Sequence, residues 1–226
     1  MMVDMDSLTI TSLNCRGFNL SKSQYIRQLL LSCDILFLQE HWMSHDQAIR
    51  LLGDLNSEFL CISVSGFDDK EVLLGRPYGG FSIFWRKSIK AVFSRVDLDS
   101  NRILALRMEY AGTSIVFINV YLPYERDASL DDFLSCLNAI DSVVDQYNNA
   151  HFVIGGDFNV DFNRDTTHTK ILKDFLLAKG LARSSECICY EVDFTYHFRD
   201  SRYHILDHFV VSDMLAYAGH SHNSGT

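Results

Sequence analysis

Five oxygen-bearing side chains stand where apolar strand-like runs stop. Asn14 closes residues 8–14 (LTITSLN), Glu40 follows the run at 35–38 as Gln39-Glu40, and Asp157 and Asn159 follow Phe152-Val153-Ile154 through two glycines. Asp207 is embedded in Ile205-Leu206-Asp207-His208-Phe209-Val210-Val211. A carboxylate inside such a run is costly unless it is paired, hydrogen-bonded or bound to a metal. In layered sheets, ligands sit at strand ends. Together the five offer an oxygen-rich cluster of the kind that suits Mg²⁺ or Mn²⁺. Each has a plainer reading by itself. Asn14 can simply turn the chain, Glu40 can begin a surface loop, and Asp157 with Asn159 can form a turn cluster. Asp207 can be an ion-pair partner for Arg199, Arg202 or His204. The set is more persuasive than any member, because separate strand ends supply it.

The elements that would carry these residues alternate between strand and helix. Residues 8–14 read as a strand by alternation, and 35–38 as a short strand buried on both faces. Between them, 21–32 reads as a helix capped by Ser21, with Tyr25, Ile26, Leu29 and Leu30 on its apolar face. A helix over 47–55 and a strand over 59–64 follow. The middle is β-rich, with strands at 81–86, 89–96, 103–110 and 113–121 and a hairpin turn at Ala111-Gly112. Residues 130–147 return to helix, with Phe133, Leu137, Ile140 and Val144 at helical spacing. A strand at 151–154, a helix at 169–178 stopped by Gly180, and a last strand at 204–212 complete the pattern. The two prolines, Pro77 and Pro123, mark shaped loops beside strands. This balance predicts a layered α/β domain over residues 1–219, with a polar, unstructured tail at 220–226.

Composition narrows the function classes. The chain has 226 residues, 47% of them hydrophobic, which is enough to fill a core and excludes a disordered or collagen-like chain. Against 20 Lys and Arg stand 29 Asp and Glu, a formal charge of −9. That excess argues against a generally basic nucleic-acid binder but leaves room for a nuclease whose cleft is neutralised locally by a metal. The six cysteines form no CxxC pair, so zinc-ribbon and thioredoxin-type chemistry lose their support. The acidic start MMVDMDSLTI lacks the basic-then-apolar layout of a secretory signal, and no apolar run is long enough to span a bilayer. The expectation is an intracellular protein with no membrane partner and no obligate protein partner.

Read in order, the segments resemble the endonuclease/exonuclease/phosphatase superfamily, the DNase-I-like fold. The resemblance is carried by Leu13-Asn14-Cys15-Arg16-Gly17, Phe37-Leu38-Gln39-Glu40, Gly79-Gly80-Phe81-Ser82-Ile83, Asn119-Val120-Tyr121-Leu122-Pro123, Gly156-Asp157-Phe158-Asn159, Phe194-Thr195-Tyr196 and Leu206-Asp207-His208 running to Ser212. These motifs cover residues 8 to 212. Gly75-Arg76-Pro77-Tyr78-Gly79-Gly80 and Leu206-Asp207-His208 look most like the apurinic-endonuclease-type endonuclease domain of non-long-terminal-repeat retrotransposons. The resemblance implies a four-layer sandwich of two mixed β-sheets flanked by helices. It also implies a DNA substrate, a nuclear location and divalent-metal chemistry. Glu40 and Asn14 would hold the ion, Mg²⁺ or Mn²⁺. Asp157 would orient or activate the attacking water. Asn159 would bond the phosphate or Asp157, Tyr121 would donate to the transition state, and Asp207 would orient a catalytic His. Thr195 and Tyr196 would line the cleft, and Arg126 would reach a phosphate.

One family segment has no match. The family closes on a Ser-Asp-His strand that supplies the catalytic His, whereas Ser212-Asp213-Met214 has Met in that place. His208 adjoins Asp207 on a strand, so its side chain points to the opposite face. The implied fold therefore lacks its last strand, and an opening is expected in the sheet that carries Asp207. Three functions remain in competition: a DNA-nicking endonuclease slowed by the missing His, a non-catalytic remnant of such a domain, and an inositol- or lipid-phosphate phosphatase of the same fold.

Overall fold

In a computed structural model of the chain, residues 7–67, 79–125, 130–187, 196–198 and 202–212 are described, with 186–187, 196–198 and 202–204 described by backbone alone. The first half runs β1 (Ile10–Asn14), α1 (Leu20–Ser32), β2 (Ile35–Gln39), α2 (His45–Gly53), β3 (Phe59–Val64) and β4 (Phe81–Arg86). The second half runs β5 (Val92–Val96), β6 (Ile103–Tyr110), β7 (Thr113–Tyr121), α3 (Leu130–Gln146), β8 (His151–Asp157), α4 (Thr167–Ala178), β9 (Leu181–Arg183), α5 (Ser184–Cys187), β10 (Tyr196–Phe198), β11 (Arg202–His204) and β12 (Asp207–Ser212). One mixed sheet has the order β1-β2-β4-β3 and the other β5-β6-β7-β8-β12-β9, while β10 and β11 form a small ladder of their own.

Strand alternation sorts the apolar residues into three cores. Ile35 and Phe37 face the second sheet, where they join Phe81, Ile83, Leu104, Leu106, Phe117 and Val153 between the sheets. Leu36 and Leu38, one residue out of step, pack on Ile26 and Leu30 of α1 and Ala48 and Leu52 of α2. Val116, Ile118, Val120, Phe152 and Ile154 turn the other way, onto Phe133, Leu137 and Ile140 of α3 and Leu172 and Leu176 of α4. The result is a four-layer sandwich: helices, sheet, sheet, helices.

The boundaries that differ from expectation differ at caps and connections. α1 starts one residue earlier than expected because Asn19, not Ser21, accepts from the Lys22 N–H. α2 begins at His45 behind a capping box of Ser44 and Gln47. α4 begins at Thr167 behind Thr166, whose hydroxyl accepts from the Thr169 N–H. The Ala111-Gly112 turn has φ of 50° and 85°, the left-handed pair that a tight hairpin needs. Gly180 follows α4 at φ 60°. β12 pairs with β8 along Asp207–Val211, while the short β9 returns from α4 to pair with Val210–Ser212 alone, so among the described residues Asp207–Phe209 have a ladder partner on the β8 side only. In the other sheet, β1 pairs with β2 alone.

A polar bridge crosses the apolar layer between the sheets. Asn119 on β7 donates from Nδ2 to the carbonyl oxygens of Leu38 and Ser82, each at 3.0 Å, and its Oδ1 accepts from Gln39 Nε2 at 2.6 Å. Asn119 and Gln39 are both fully buried. An unsatisfied buried polar group costs about 1–3 kcal/mol. Asn119→Leu removes the donor to two buried carbonyls and leaves the Gln39 amide with Ser12 Oγ as its remaining acceptor, so we expect it to destabilise the chain by about 2–3 kcal/mol in urea unfolding. A loss under about 1 kcal/mol would mean that the bridge does not hold the sheets in register.

Candidate active site

The same alternation that fills the middle layer delivers polar side chains to one end of it. Asn14 shares its face with Ile10, Gln39 with Phe37, Tyr121 with Phe117 and Asn119, Asp157 with Val153, and Asp207 with Phe209. Strand pairing sets the register. Asn14 lies opposite Gln39 across β1 and β2, Tyr121 opposite Asp157 across β7 and β8, and Asp157 opposite Asp207 across β8 and β12. Residues as far apart as Asn14 and Asp207 are thus carried to one site by backbone ladders alone.

Hydrogen bonds tie the two sheets together at this end. Asn14 Nδ2 donates to Asp157 Oδ2 at 2.9 Å, and Asn14 Oδ1 accepts from the Arg16 N–H at 3.1 Å. The Asp157 Oδ1 accepts from the Asn159 N–H at 3.0 Å. The Glu40 carboxylate lies near enough to the Tyr121 hydroxyl to raise its pKa. Trp42 Nε1 donates to Glu40 Oε2 at 3.1 Å. Phe158 is buried, as expected for the residue between Asp157 and Asn159. Asn159 itself departs from expectation. Its φ is 51°, so the chain is no longer extended there, and its amide nitrogen donates to the Leu122 carbonyl at 2.8 Å.

Electrostatics mark the site as short of positive charge. The Asp157 carboxyl is pushed up from the ordinary range to about 7, by burial first, then by Asp207, with Glu40 adding to it, against the pull of its bonds from Asn14 and Asn159. Burial, the Glu40 bond and the nearby charges of Glu40 and Asp157 hold the Tyr121 phenol well above its usual value, with Arg102 opposing them. Two histidines next to the site take no part in it. His208 points away from Asp207, as its place on the strand requires, and its Nε2 lies 2.8 Å from the Val160 carbonyl. His41 is fully buried, and burial lowers its pKa to about 4.

Of the residues expected at the site, Asn14, Glu40, Tyr121, Asp157 and Asp207 converge, and Asn159 joins them through its backbone. Arg126 and Thr195 lie outside the described residues, and Tyr196 is described by backbone alone in β10. Two neighbours were not anticipated. Trp42 reaches Glu40 from two positions away, a local signal that Gln39-Glu40 overshadowed. Arg102 lies with its guanidinium carbon 5.6 Å from the Tyr121 ring centroid, and its carbonyl accepts from the Tyr121 N–H. Nothing in its sequence context announces that.

The donor set fits a hard divalent cation in one particular way. Among the described residues, no three His, Cys, Asp or Glu side chains gather into a ready cage. What the site offers instead is one carboxylate, Glu40, an amide oxygen on Asn14, and the excess negative charge of Asp157 and Asp207. Mg²⁺ characteristically uses one or two protein carboxylates and completes its shell with water and phosphate oxygens.

The chain belongs to the Endonuclease/Exonuclease/phosphatase family, whose model matches residues 11–224. In fold it is similar to three solved structures in particular. One is the AP endonuclease LMAP from Leishmania major, 16% identical with a TM-score of 0.70, the match covering 93% of this chain and 80% of that one. A second is the endonuclease domain of TRAS1, a telomere-specific non-LTR retrotransposon, 14% identical with a TM-score of 0.65, covering 90% and 83%. The third is the 3′ phosphatase NExo from Neisseria bound to a product DNA hairpin, 20% identical with a TM-score of 0.64, covering 93% and 89%. No curated protein matches the sequence.

The raised Asp157 pKa has a consequence for stability. In the unfolded chain an Asp loses its proton near pH 3.9, whereas in the folded, ion-free protein Asp157 keeps it to about pH 7. Stability therefore falls as pH rises between about 4 and 7, because the unfolded state releases the proton first. Below that window both states are protonated and the penalty is absent; above it the penalty is complete. Asp157→Asn removes the penalty, so with chelator present it should raise stability by about 2–4 kcal/mol at pH 8 and by little at pH 4. Urea unfolding at the two pH values checks this, and equal differences at both would contradict it.

Proposed function

We propose that the chain hydrolyses phosphodiesters with a divalent ion, Mg²⁺ or Mn²⁺, and nicks DNA in the manner of a retrotransposon endonuclease. The observation that carries the reading is the convergence of Glu40, Asp157 and Asp207 with Asn14 and Tyr121 at one end of the inter-sheet layer. A buried Asp157 whose proton affinity is raised by burial, Asp207 and Glu40 suits a substrate that arrives with a cation. When bound, that ion neutralises phosphate oxygen charge and stabilises the leaving oxygen.

The chain's own residues would divide the remaining work. Glu40 and Asn14 hold the ion. Asp157, with a pKa near neutrality, accepts the proton of the attacking water. Asn14 Nδ2 and the Asn159 N–H fix the Asp157 carboxylate for that transfer. Tyr121 turns its hydroxyl toward charge that builds on the phosphate in the transition state. Asp207 keeps the Asp157 proton affinity high. DNA as substrate, retrotransposon ancestry and a nuclear setting are supported by the motif resemblance and by the fold shared with TRAS1 and NExo.

Plasmid nicking by the full chain tests the reading. Nicking should require Mg²⁺ or Mn²⁺ and stop with EDTA. Asp157→Ala should slow it by about 10²- to 10⁴-fold, the usual contribution of a positioned proton-transfer group. Release of inorganic phosphate from an inositol phosphate, without nicking, would replace the endonuclease with a phosphatase. Ion binding with no product from either substrate would leave the non-catalytic remnant.

A further inference from the structure

The Glu40 carboxylate sits on a backbone turn that a glutamate does not choose freely. Glu40 and Trp42 have φ of 54° and 57°, in the left-handed region, which a non-glycine residue holds only where its surroundings enforce it. Between them His41 is fully buried. Its Nδ1 accepts from the Met43 N–H at 3.1 Å, which assigns the ring proton to Nε2, 3.1 Å from the Val64 carbonyl. Ser63 Oγ lies 3.2 Å from the same nitrogen. The His41 and Trp42 N–H groups donate to the Gly80 and Gly79 carbonyls.

Two glycines make room for the two rings. A Cβ at Gly80 would stand 2.3 Å from the His41 ring, and one at Gly17 would stand 2.2 Å from the Trp42 ring. Gly17 in turn donates its N–H to the Glu40 carbonyl at 2.6 Å. The turn is therefore clamped from both flanking loops, and the indole N–H of Trp42 reaches toward the site, bonded to Glu40 Oε2.

We infer that Trp42 is a positioning residue for the ion site, its indole N–H fixing the orientation of the Glu40 carboxylate, with His41 as the anchor that holds the indole in place. The inference rests on the proposed role of Glu40 as an ion ligand. The bond from Trp42 occupies one carboxylate oxygen, Oε2, and so restrains the rotation of the Glu40 carboxylate. Groups that hydrogen-bond a metal-binding carboxylate typically change metal affinity or activity by about 10- to 100-fold when removed.

Mn²⁺ titration of the full chain, read by electron paramagnetic resonance of the free ion, tests this apart from catalysis. Glu40→Gln should weaken Mn²⁺ binding strongly. Trp42→Phe keeps a ring on Gly17 but loses the donor, and should raise the Kd about tenfold with an unchanged melting temperature. Trp42→His restores a ring N–H donor and should recover most of the affinity. Weakened binding in Glu40→Gln with unchanged binding in Trp42→Phe overturns the positioning role and leaves the ion site standing. If Trp42→Phe lowers both affinity and melting temperature, Trp42→His decides: recovery supports the role, and no recovery overturns it. Unchanged binding in Glu40→Gln overturns the ion reading itself, and the inference with it.

Discussion

The hydrogen bond between Gln39 and Asn119 is the constraint on which the rest of the molecule turns. The layer between the two sheets is mostly apolar, and apolar burial is non-directional, so it tolerates small shifts of one sheet over the other. A buried amide pair does, because a slip leaves several polar groups without partners at once. Gln39 belongs to the strand that ends in Glu40, and Asn119 lies two residues before Tyr121 on the facing strand. Fixing the first pair therefore fixes the second, and Tyr121 meets Glu40 as a result. Asn119 also reaches the carbonyls of Leu38 and Ser82, so β2 and β4 are both referenced to β7.

Given that frame, the chemistry of the site follows from what the fold withholds. Asp157 and Asp207 face each other across an antiparallel ladder, and Asp157 is almost wholly buried, its proton affinity raised by that burial and by Asp207. The fold thereby carries a local electrostatic debt that a phosphate substrate and its accompanying ion are suited to settle. The overall charge of −9 points the same way. Attraction to a polyanion has to be local here, because the surface as a whole repels one.

Much of this was legible in the sequence, and for identifiable reasons. Strands β3, β4, β6 and β7 end where their apolar and β-branched residues end, so their limits could be read directly. The clustering of Asn14, Glu40, Asp157 and Asp207 was legible because each is a polar residue at the end of an apolar strand. Helix starts were read less well, since Asn19, Ser44 and Thr166 compete with neighbouring polar residues and the cap is chosen by backbone geometry. The left-handed backbone of Asn159 was not legible, because spacing alone does not reveal it. Arg102 was missed because its approach to Tyr121 comes from strand pairing between β6 and β7, a relation that local pattern does not encode. The short β9, which pairs with the end of β12, has only three residues and no alternation to read.

Among the described residues, the non-glycine positions with left-handed backbone are Arg16, Glu40, Trp42, Ala111 and Asn159, and all but Ala111 lie in the loops that rim the site. Backbone energy is thus concentrated around the candidate site while the strands behind it are relaxed. Loops held in such conformations by tertiary contacts open at lower cost than the sheets they join. Heating should therefore scatter the rim before the sandwich comes apart, and amide exchange should be faster at Arg16, Trp42 and Asn159 than in β7 and β8. The working end of the molecule and its most durable part are different places in the same fold.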